Sequence, residues 1–270
     1  MAPTLAQITR ELLIAHNRYP RKDLGQHFLI DPKVVERIIA AAALTRDDLV
    51  LEIGSGLGVV TAELAQHVYQ LIAVEIDKEL LQISRDVLKP YQNISFVGQD
   101  ILKTDLAELT LGRKYKVVGN LPYYITAPII DKLLTAKEKP ELAVLMTQKE
   151  VAERMTAQPG SKRYGSFSVF CQFYADVRLE SLVSKSSFLP WPEVSSAITS
   201  LVPRPSPLFP GLDEKKFFKV VHTAFQQRRK KLSTSLDEFK LAESGIDLNR
   251  RPETLSVAEF AALAGYTGAS

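Results

Sequence analysis

An apolar strand that runs straight into three alternating glycines constrains this chain more than any other feature. Leu49-Val50-Leu51-Glu52-Ile53 reads as a short buried strand, and Gly54-Ser55-Gly56-Leu57-Gly58 follows at once. Behind the loop, VVTAELAQHV has helical spacing, and Leu71-Ile72-Ala73-Val74-Glu75 is a second strand that closes on an acid. KELLQISRDVL reads as another helix, with further strands at ISFVG (94–98), YKVVGN (115–120) and ELAVLM (141–146). Strands that alternate with helices predict an α/β fold with a doubly wound, mostly parallel sheet.

A glycine loop leaving the first strand and an acid closing the second mark a nucleoside-type cofactor site at the strand ends. Glycine lets the backbone approach a ligand closely. Glu75 lies 19 residues beyond Gly56, where a carboxylate can accept from both hydroxyls of a ribose. The dinucleotide fingerprint wants a glycine where Val59 stands, so the spacing Gly54, Gly56, Gly58 favours S-adenosylmethionine, with a dinucleotide as the alternative.

The flanks complete the organisation. Asp31-Pro32 before VVERIIAAAAL supplies an N-cap acid and a proline at the first helical position. Pro203, Pro205, Pro207 and Pro210 punctuate a linker. Beyond it FFKVVHTAF puts Phe217, Val220, Val221 and Ala224 on one helical face, and Ser256-Val257-Ala258-Glu259 is a capping box. The expected division is a sheet domain over residues 1–202, with an N-terminal extension over 1–24, and a small helical domain over 203–270. One cysteine, Cys171, excludes an internal disulfide and a cysteine-rich zinc site. Four scattered histidines (His16, His27, His67, His222) give no ligand spacing, so no metal is expected. MAPTLAQITRELLIAHNRYP has no signal-like apolar stretch, and nothing approaches transmembrane length, so a cytoplasmic, membrane-free protein is expected.

Asn120-Leu121-Pro122-Tyr123 carries the chemistry. The lone pair of an exocyclic adenine amine is delocalised into the ring. Two acceptors beside its N–H bonds, the Asn120 side chain and the Leu121 carbonyl, can pull the nitrogen toward a pyramidal geometry and free that pair. Pro122 restricts Leu121 to extended conformations, which fixes where its carbonyl points. Tyr123 offers an aromatic face for an unstacked base. Asp100, after ISFVGQ, can accept from the adenine amine of a cofactor. Glycine loop, Glu75, Asp100 and Asn120–Tyr123, in that order, form the layout expected of an N6-adenine methyltransferase.

With these motifs in place, the sequence resembles the ribosomal RNA adenine dimethyltransferase family, near the bacterial small-subunit type. The likeness is carried by Gly25-Gln26-His27-Phe28-Leu29, the Glu52–Gly58 loop, Asn120-Leu121-Pro122-Tyr123-Tyr124 and Gln148-Lys149-Glu150-Val151. It continues through Gly160-Ser161-Lys162-Arg163-Tyr164-Gly165, Phe188-Leu189-Pro190-Trp191-Pro192 and Ala224-Phe225-Gln226-Gln227-Arg228-Arg229-Lys230. The resemblance implies a Rossmann-like methyltransferase sheet and S-adenosyl-L-methionine as cofactor, held by Gln26, His27, Leu29, Gly54, Gly56, Glu75, Ile76, Asp100, Ile101 and Asn120. It implies catalysis at Asn120, Leu121, Pro122 and Tyr123, with Tyr123 and Phe188 sandwiching a flipped adenine. On its own, Phe188 before a Pro-x-Pro turn reads as a core aromatic. His27 stands where the family usually has asparagine, Ser55 where proline is frequent, Tyr124 where asparagine is common, and Glu193 and Ser195 where lysine and aspartate are usual.

The implied substrate is two adjacent adenosines in a loop of the RNA of an immature small ribosomal subunit, met by a monomer. Charge is unevenly distributed. Residues 44–115 carry seven Lys/Arg against eleven Asp/Glu, whereas 203–240 carry nine against four, which marks the later stretch as the basic one. Arg228, Arg229, Lys230 and Lys231, with Lys162, Arg163, Arg21 and Lys22, are candidate phosphate contacts. Two rivals share the scaffold, a large-subunit rRNA adenine methyltransferase of the macrolide-resistance type and a non-catalytic RNA-binding assembly factor. A dinucleotide oxidoreductase leaves Asn120–Tyr123 without a purpose.

Overall fold

A computed structural model describes residues 3–21, 24–239 and 244–265. The chain forms two compact units, residues 1–152 with 178–203, and residues 153–177 with 204–270.

The first unit runs through α1 (Leu5–Ala15), β1 (Phe28–Leu29), α2 (Pro32–Ala42), β2 (Leu49–Ile53), α3 (Val59–Ala65), β3 (Gln70–Val74) and α4 (Lys78–Val87). It continues with β4 (Ile94–Val97), α5 (Leu106–Thr110), β5 (Lys116–Asn120), α6 (Thr126–Thr135), β6 (Leu142–Gln148) and α7 (Lys149–Met155, of which 149–152 belong here), then β7 (Ala175–Val183, of which 178–183 belong here), β8 (Phe188–Leu189) and β9 (Ser196–Pro203). Seven strands form one sheet in the order β4-β3-β2-β5-β6-β9-β7. β4, β3, β2, β5 and β6 pair in parallel, and β9 lies antiparallel on β6.

Every residue of β2 is buried, because helices cover both faces of a central parallel strand. Val34, Val35 and Ile38 of α2 and Leu64 and Ala65 of α3 pack with Val50, Leu71, Val118 and Val144 of the sheet. At about 1.5–3 kcal/mol for each large apolar side chain, this layer supplies most of the drive to fold. α2 begins as its sequence predicts, with the Asp31 side chain accepting from the Lys33 N–H at 3.0 Å and Pro32 at the first position. The chain runs from β2 outward through β3 to β4, then returns to place β5 on the other side of β2. That reversal opens a crevice at the strand ends between β2 and β5.

The second unit holds α8 (Ser166–Tyr174), α9 (Glu214–Gln226), α10 (Leu232–Ser235) and α11 (Val257–Leu263). Phe217, Val220, Val221 and Ala224 of α9 are all buried, the face read from their spacing. Ser256 and Glu259 close the capping box of α11. In one respect the division departs from that expected of the sequence, in which 153–177 belong with the sheet domain. Val169 and Phe173 of α8 bury into one cluster with Phe217, Val220 and Phe260, and the Phe173 and Phe217 rings stack at 4.8 Å. Apolar partners distant in sequence therefore draw this segment into the second unit.

No helix among the described residues is long and apolar enough to cross a membrane, and no cluster of His, Cys, Asp or Glu there is arranged to hold a metal.

Candidate active site

The crevice is a cleft of about 1220 Å³ counting its open mouth, lined wholly by the first unit.

Its floor is the glycine loop. Gly54 and Ser55 donate to the Val74 carbonyl at 2.9 and 3.3 Å, which ties the loop to the end of β3. Gly58 has φ +83°, and a Cβ there would lie 2.7 Å from Ser84 Oγ and 2.8 Å from Leu88 Cδ1. Only glycine meets both demands, and the close packing of α3 on α4 depends on it. Glu75 sits just past β3 with both carboxylate oxygens engaged, Oε2 by the Gly56 N–H at 2.9 Å and Oε1 by the Asp77 N–H at 3.0 Å. Each oxygen keeps a second acceptor position. Asp77 in turn caps α4 and accepts from Arg18 Nη2 at 3.2 Å and Gln26 Nε2 at 3.1 Å.

Gln26 lines the cleft, yet both ends of its amide are used, since Oε1 also accepts from the Arg21 N–H at 2.9 Å. Its side chain braces the N-terminal segment against α4. Neither this brace nor Arg18 is legible in the sequence, because the partners are fifty or more residues apart.

The opposite wall follows β5. Asn120 Nδ2 donates to the His27 carbonyl at 3.1 Å, which commits the nitrogen end of the amide and leaves Oδ1 as its free acceptor end. Leu121 is anchored by its N–H to the Met146 carbonyl at 3.0 Å, while the Pro122 carbonyl is taken by the Ile125 N–H and Thr126 Oγ1. Tyr123 opens a short 3-10 turn, and its hydroxyl shares a hydrogen bond with Ser196 Oγ at 3.0 Å. Burial raises the phenol above its ordinary range, with the Ser196 bond opposing, so the ring is neutral. The His27 imidazole stacks on Tyr123 with centroids 5.8 Å apart, and its Nδ1–H donates to the Pro190 carbonyl at 2.9 Å.

Leu29, Ile76, Asp100 and Ile101 complete the lining as the sequence reading placed them. One Asp100 oxygen accepts from the Leu102 N–H at 3.0 Å. Phe188 is different. It is 1 % exposed, belongs to the core cluster with Leu29 and Val34, and takes no part in the cleft lining. β8 pairs with β1, Leu29 opposite Phe188, and this pairing seats the ring in that core.

Glu52 is a further lining residue, to which the sequence motifs assign no role. It is 3 % exposed, lines the cleft, and its Oε2 finds no hydrogen-bond partner among the described residues. Burial pushes its carboxyl up to about 7, helped by the charge of Glu75 and opposed by the Thr61 hydroxyl. Burial likewise raises Glu75, against the N–H bonds that favour its charge. Among the described lining residues the acids are Glu52, Glu75 and Asp100, and no lysine or arginine joins them. A dinucleotide would bring two phosphates to a wall without cations. S-Adenosylmethionine, a sulfonium that also carries an ammonium, suits the acid set and the glycine cradle.

The basic candidates lie elsewhere. Lys162, Arg163, Arg229, Lys230 and Lys231 are exposed on the second unit, where Arg228 Nη2 donates to the Ser161 carbonyl at 3.2 Å and joins the two basic stretches. Arg163 pairs with Glu153 at 3.3 Å, and Lys231 donates to Asn249 Oδ1 at 3.1 Å. Arg21 is exposed on the first unit, and Lys22 lies outside the described residues.

A family model described as ribosomal RNA adenine dimethylase matches residues 17–267. The chain belongs to that family. Among curated members, the ribosomal RNA small subunit methyltransferase A of Enterococcus faecalis is 41% identical over 94% of this chain and 92% of its own. That of Bacillus mycoides is also 41% identical, over 94% of each. A dimethyladenosine transferase structure from Plasmodium falciparum superposes with a TM-score of 0.75 at 25% identity, covering 88% of this chain and 96% of its own. The 23S rRNA methyltransferase ErmE gives a TM-score of 0.74 at 28% identity, over 88% and 98%. The family's Rossmann-like methyltransferase fold is thus the fold of the first unit.

Proposed function

We propose that this chain is the small-subunit member of its family and dimethylates N6 of two adjacent adenosines in a loop of small-subunit rRNA during ribosome assembly. Family membership makes it an rRNA adenine N6,N6-dimethyltransferase dependent on S-adenosyl-L-methionine. The observation that carries the choice of subunit is the 41% identity, over 94% of the chain, to proteins named for the small subunit, against 28% to ErmE.

S-Adenosylmethionine supplies a methyl already electrophilic on its sulfonium. In this reading Glu75 receives the ribose hydroxyls on its remaining acceptor positions, and Asp100 the cofactor's adenine amine. Gly54, Gly56, Leu29, Ile76 and Ile101 shape the slot, with the backbone at Gln26 and His27 closing it. Asn120 Oδ1 and the Leu121 carbonyl take the two N–H bonds of the target amine and aim its lone pair. Pro122 fixes the second of these acceptors, and Tyr123 carries the base on its ring. Positioning of this kind is worth up to ~7–11 kcal/mol of a barrier. The product nitrogen is cationic and strongly acidic, so water can remove its proton without a dedicated base. The His27 ring, already stacked on Tyr123, flanks that platform, and Phe188 on β8 is the second ring of the sandwich around the target base.

The target must be unpaired or extruded, since a stacked base cannot reach the acceptors. Lys162, Arg163 and Arg228–Lys231, with Arg21, are the proposed phosphate contacts. The same reading places the enzyme in the cytoplasm as a monomer. The test is expression in cells whose small-subunit RNA lacks dimethyladenosine. Mass spectrometry of nuclease fragments should then find two adjacent dimethyladenosines restored. Their absence, in cells that make the folded protein, refutes the reading.

A further inference from the structure

Trp191 is the only tryptophan of the chain, and it is 70 % exposed. An aromatic of this size can bury ~150–250 Å², so holding it in water forfeits a large stabilisation unless something covers the ring. The exposure is not slackness. Phe188 and Leu189 are zipped onto Leu29 and Phe28, the Pro190 carbonyl accepts from His27 Nδ1, and Pro192 is buried, so both neighbours of Trp191 are pinned while the indole faces out. Among the described residues no ring or cation packs on it. The exposed Lys185 ammonium donates to the Glu193 carbonyl, which ties a positive charge to the chain two residues beyond Trp191. His27, held by Pro190, stacks on Tyr123, so the indole stands one residue from the frame of the base platform, and Tyr124, 57 % exposed, stands at the cleft.

We propose that Trp191 is a stacking platform for an unpaired base beside the target adenine, with the Lys185 ammonium taking an adjoining phosphate. The inference rests on the RNA-methylating function above. Extruding one adenine leaves its neighbour without a stacking partner, and an exposed indole between two fixed prolines can replace that partner. Such stacking tolerates any base, so Trp191 contributes affinity and register and leaves the chemical step to Asn120 and Leu121.

The test measures methyl transfer to unmodified small subunits by the full chain, with Trp191→Ala and Trp191→Phe beside it. A stacked base is worth ~1–3 kcal/mol, so Trp191→Ala should raise KM about five-fold or more with kcat essentially kept, and Trp191→Phe should recover most of the loss. The lone indole gives a second readout, because its emission should be quenched as an RNA hairpin with two adjacent loop adenines binds. An unchanged KM in Trp191→Ala overturns the proposal, as does saturable hairpin binding that leaves the emission unaltered. Wild-type protein that transfers no methyl to small subunits would instead refute the underlying function.

Discussion

Replacing Glu52 by glutamine should make this protein more stable at alkaline pH, although Glu52 lies in the wholly buried strand β2. The carboxyl is 3 % exposed and its Oε2 is unpartnered, so burial favours the protonated form and lifts the folded-state value from 4.5 to about 7. Between those limits the native state holds a proton that the unfolded chain has released. Stability from this group is therefore complete below about pH 4.5, falls as pH rises, and is gone above about 7. At 1.36 kcal/mol per pH unit the loss is about 3 kcal/mol. Glutamine has the same shape and no charge at any pH, so Glu52→Gln should match the wild type near pH 5 and exceed it near pH 8.5. The expected gain in Tm is about 6–12 °C at that pH. Thermal unfolding followed by circular dichroism from pH 5 to 8.5 measures both curves. Glu75, also raised by burial, leaves part of the slope in the variant. Parallel pH profiles for the two proteins would refute the reasoning. The gain should cost function, with S-adenosylmethionine bound more weakly by the variant at pH 8.5 as one carboxylate facing a cationic ligand is removed.

Gly58→Ala forces a side chain to φ +83° and into Ser84 and Leu88, and should cost about 3 kcal/mol in urea unfolding. Asn120→Ala removes an acceptor from the target amine and should lower kcat about 10²–10³-fold, with the folded state intact by circular dichroism. Tyr123→Phe loses only the Ser196 hydrogen bond, about 1 kcal/mol of stability, and should stay active, whereas Tyr123→Ala should not. Combined replacement of Lys162, Arg229 and Lys230 by alanine should weaken RNA binding at every sequence tested. The slope of its salt dependence should flatten by about one for each phosphate no longer neutralised, as filter retention over a range of salt would show.

What was legible in the sequence is what local chemistry decides. Asp31 and Pro32 start a helix wherever they precede an apolar stripe, Gly54–Gly58 can only turn, and the spacing of Phe217, Val220, Val221 and Ala224 dictates which face is buried. What was not legible depends on partners met only in space. α8 is apolar enough to suit either unit, and only the aromatic cluster around Phe217 explains why 153–177 leaves the sheet. β9 enters the sheet antiparallel between β6 and β7, with no signal in its own residues. At the site, motif order located the cleft but not the use of each side chain. Gln26 braces Asp77, Phe188 is drawn into the core by β1, and Glu52 owes its raised carboxyl to a position behind the glycine loop.

The central claim is tested most directly by transfer of labelled methyl from S-adenosylmethionine to purified, unmodified small subunits, with large subunits in parallel and the product located by nuclease digestion and mass spectrometry. The structure and its relatives lead us to expect dimethyladenosine at two adjacent positions of the small-subunit RNA alone, and none with Asn120→Ala. Label confined to the large subunit, or equal transfer by Asn120→Ala, would contradict the account.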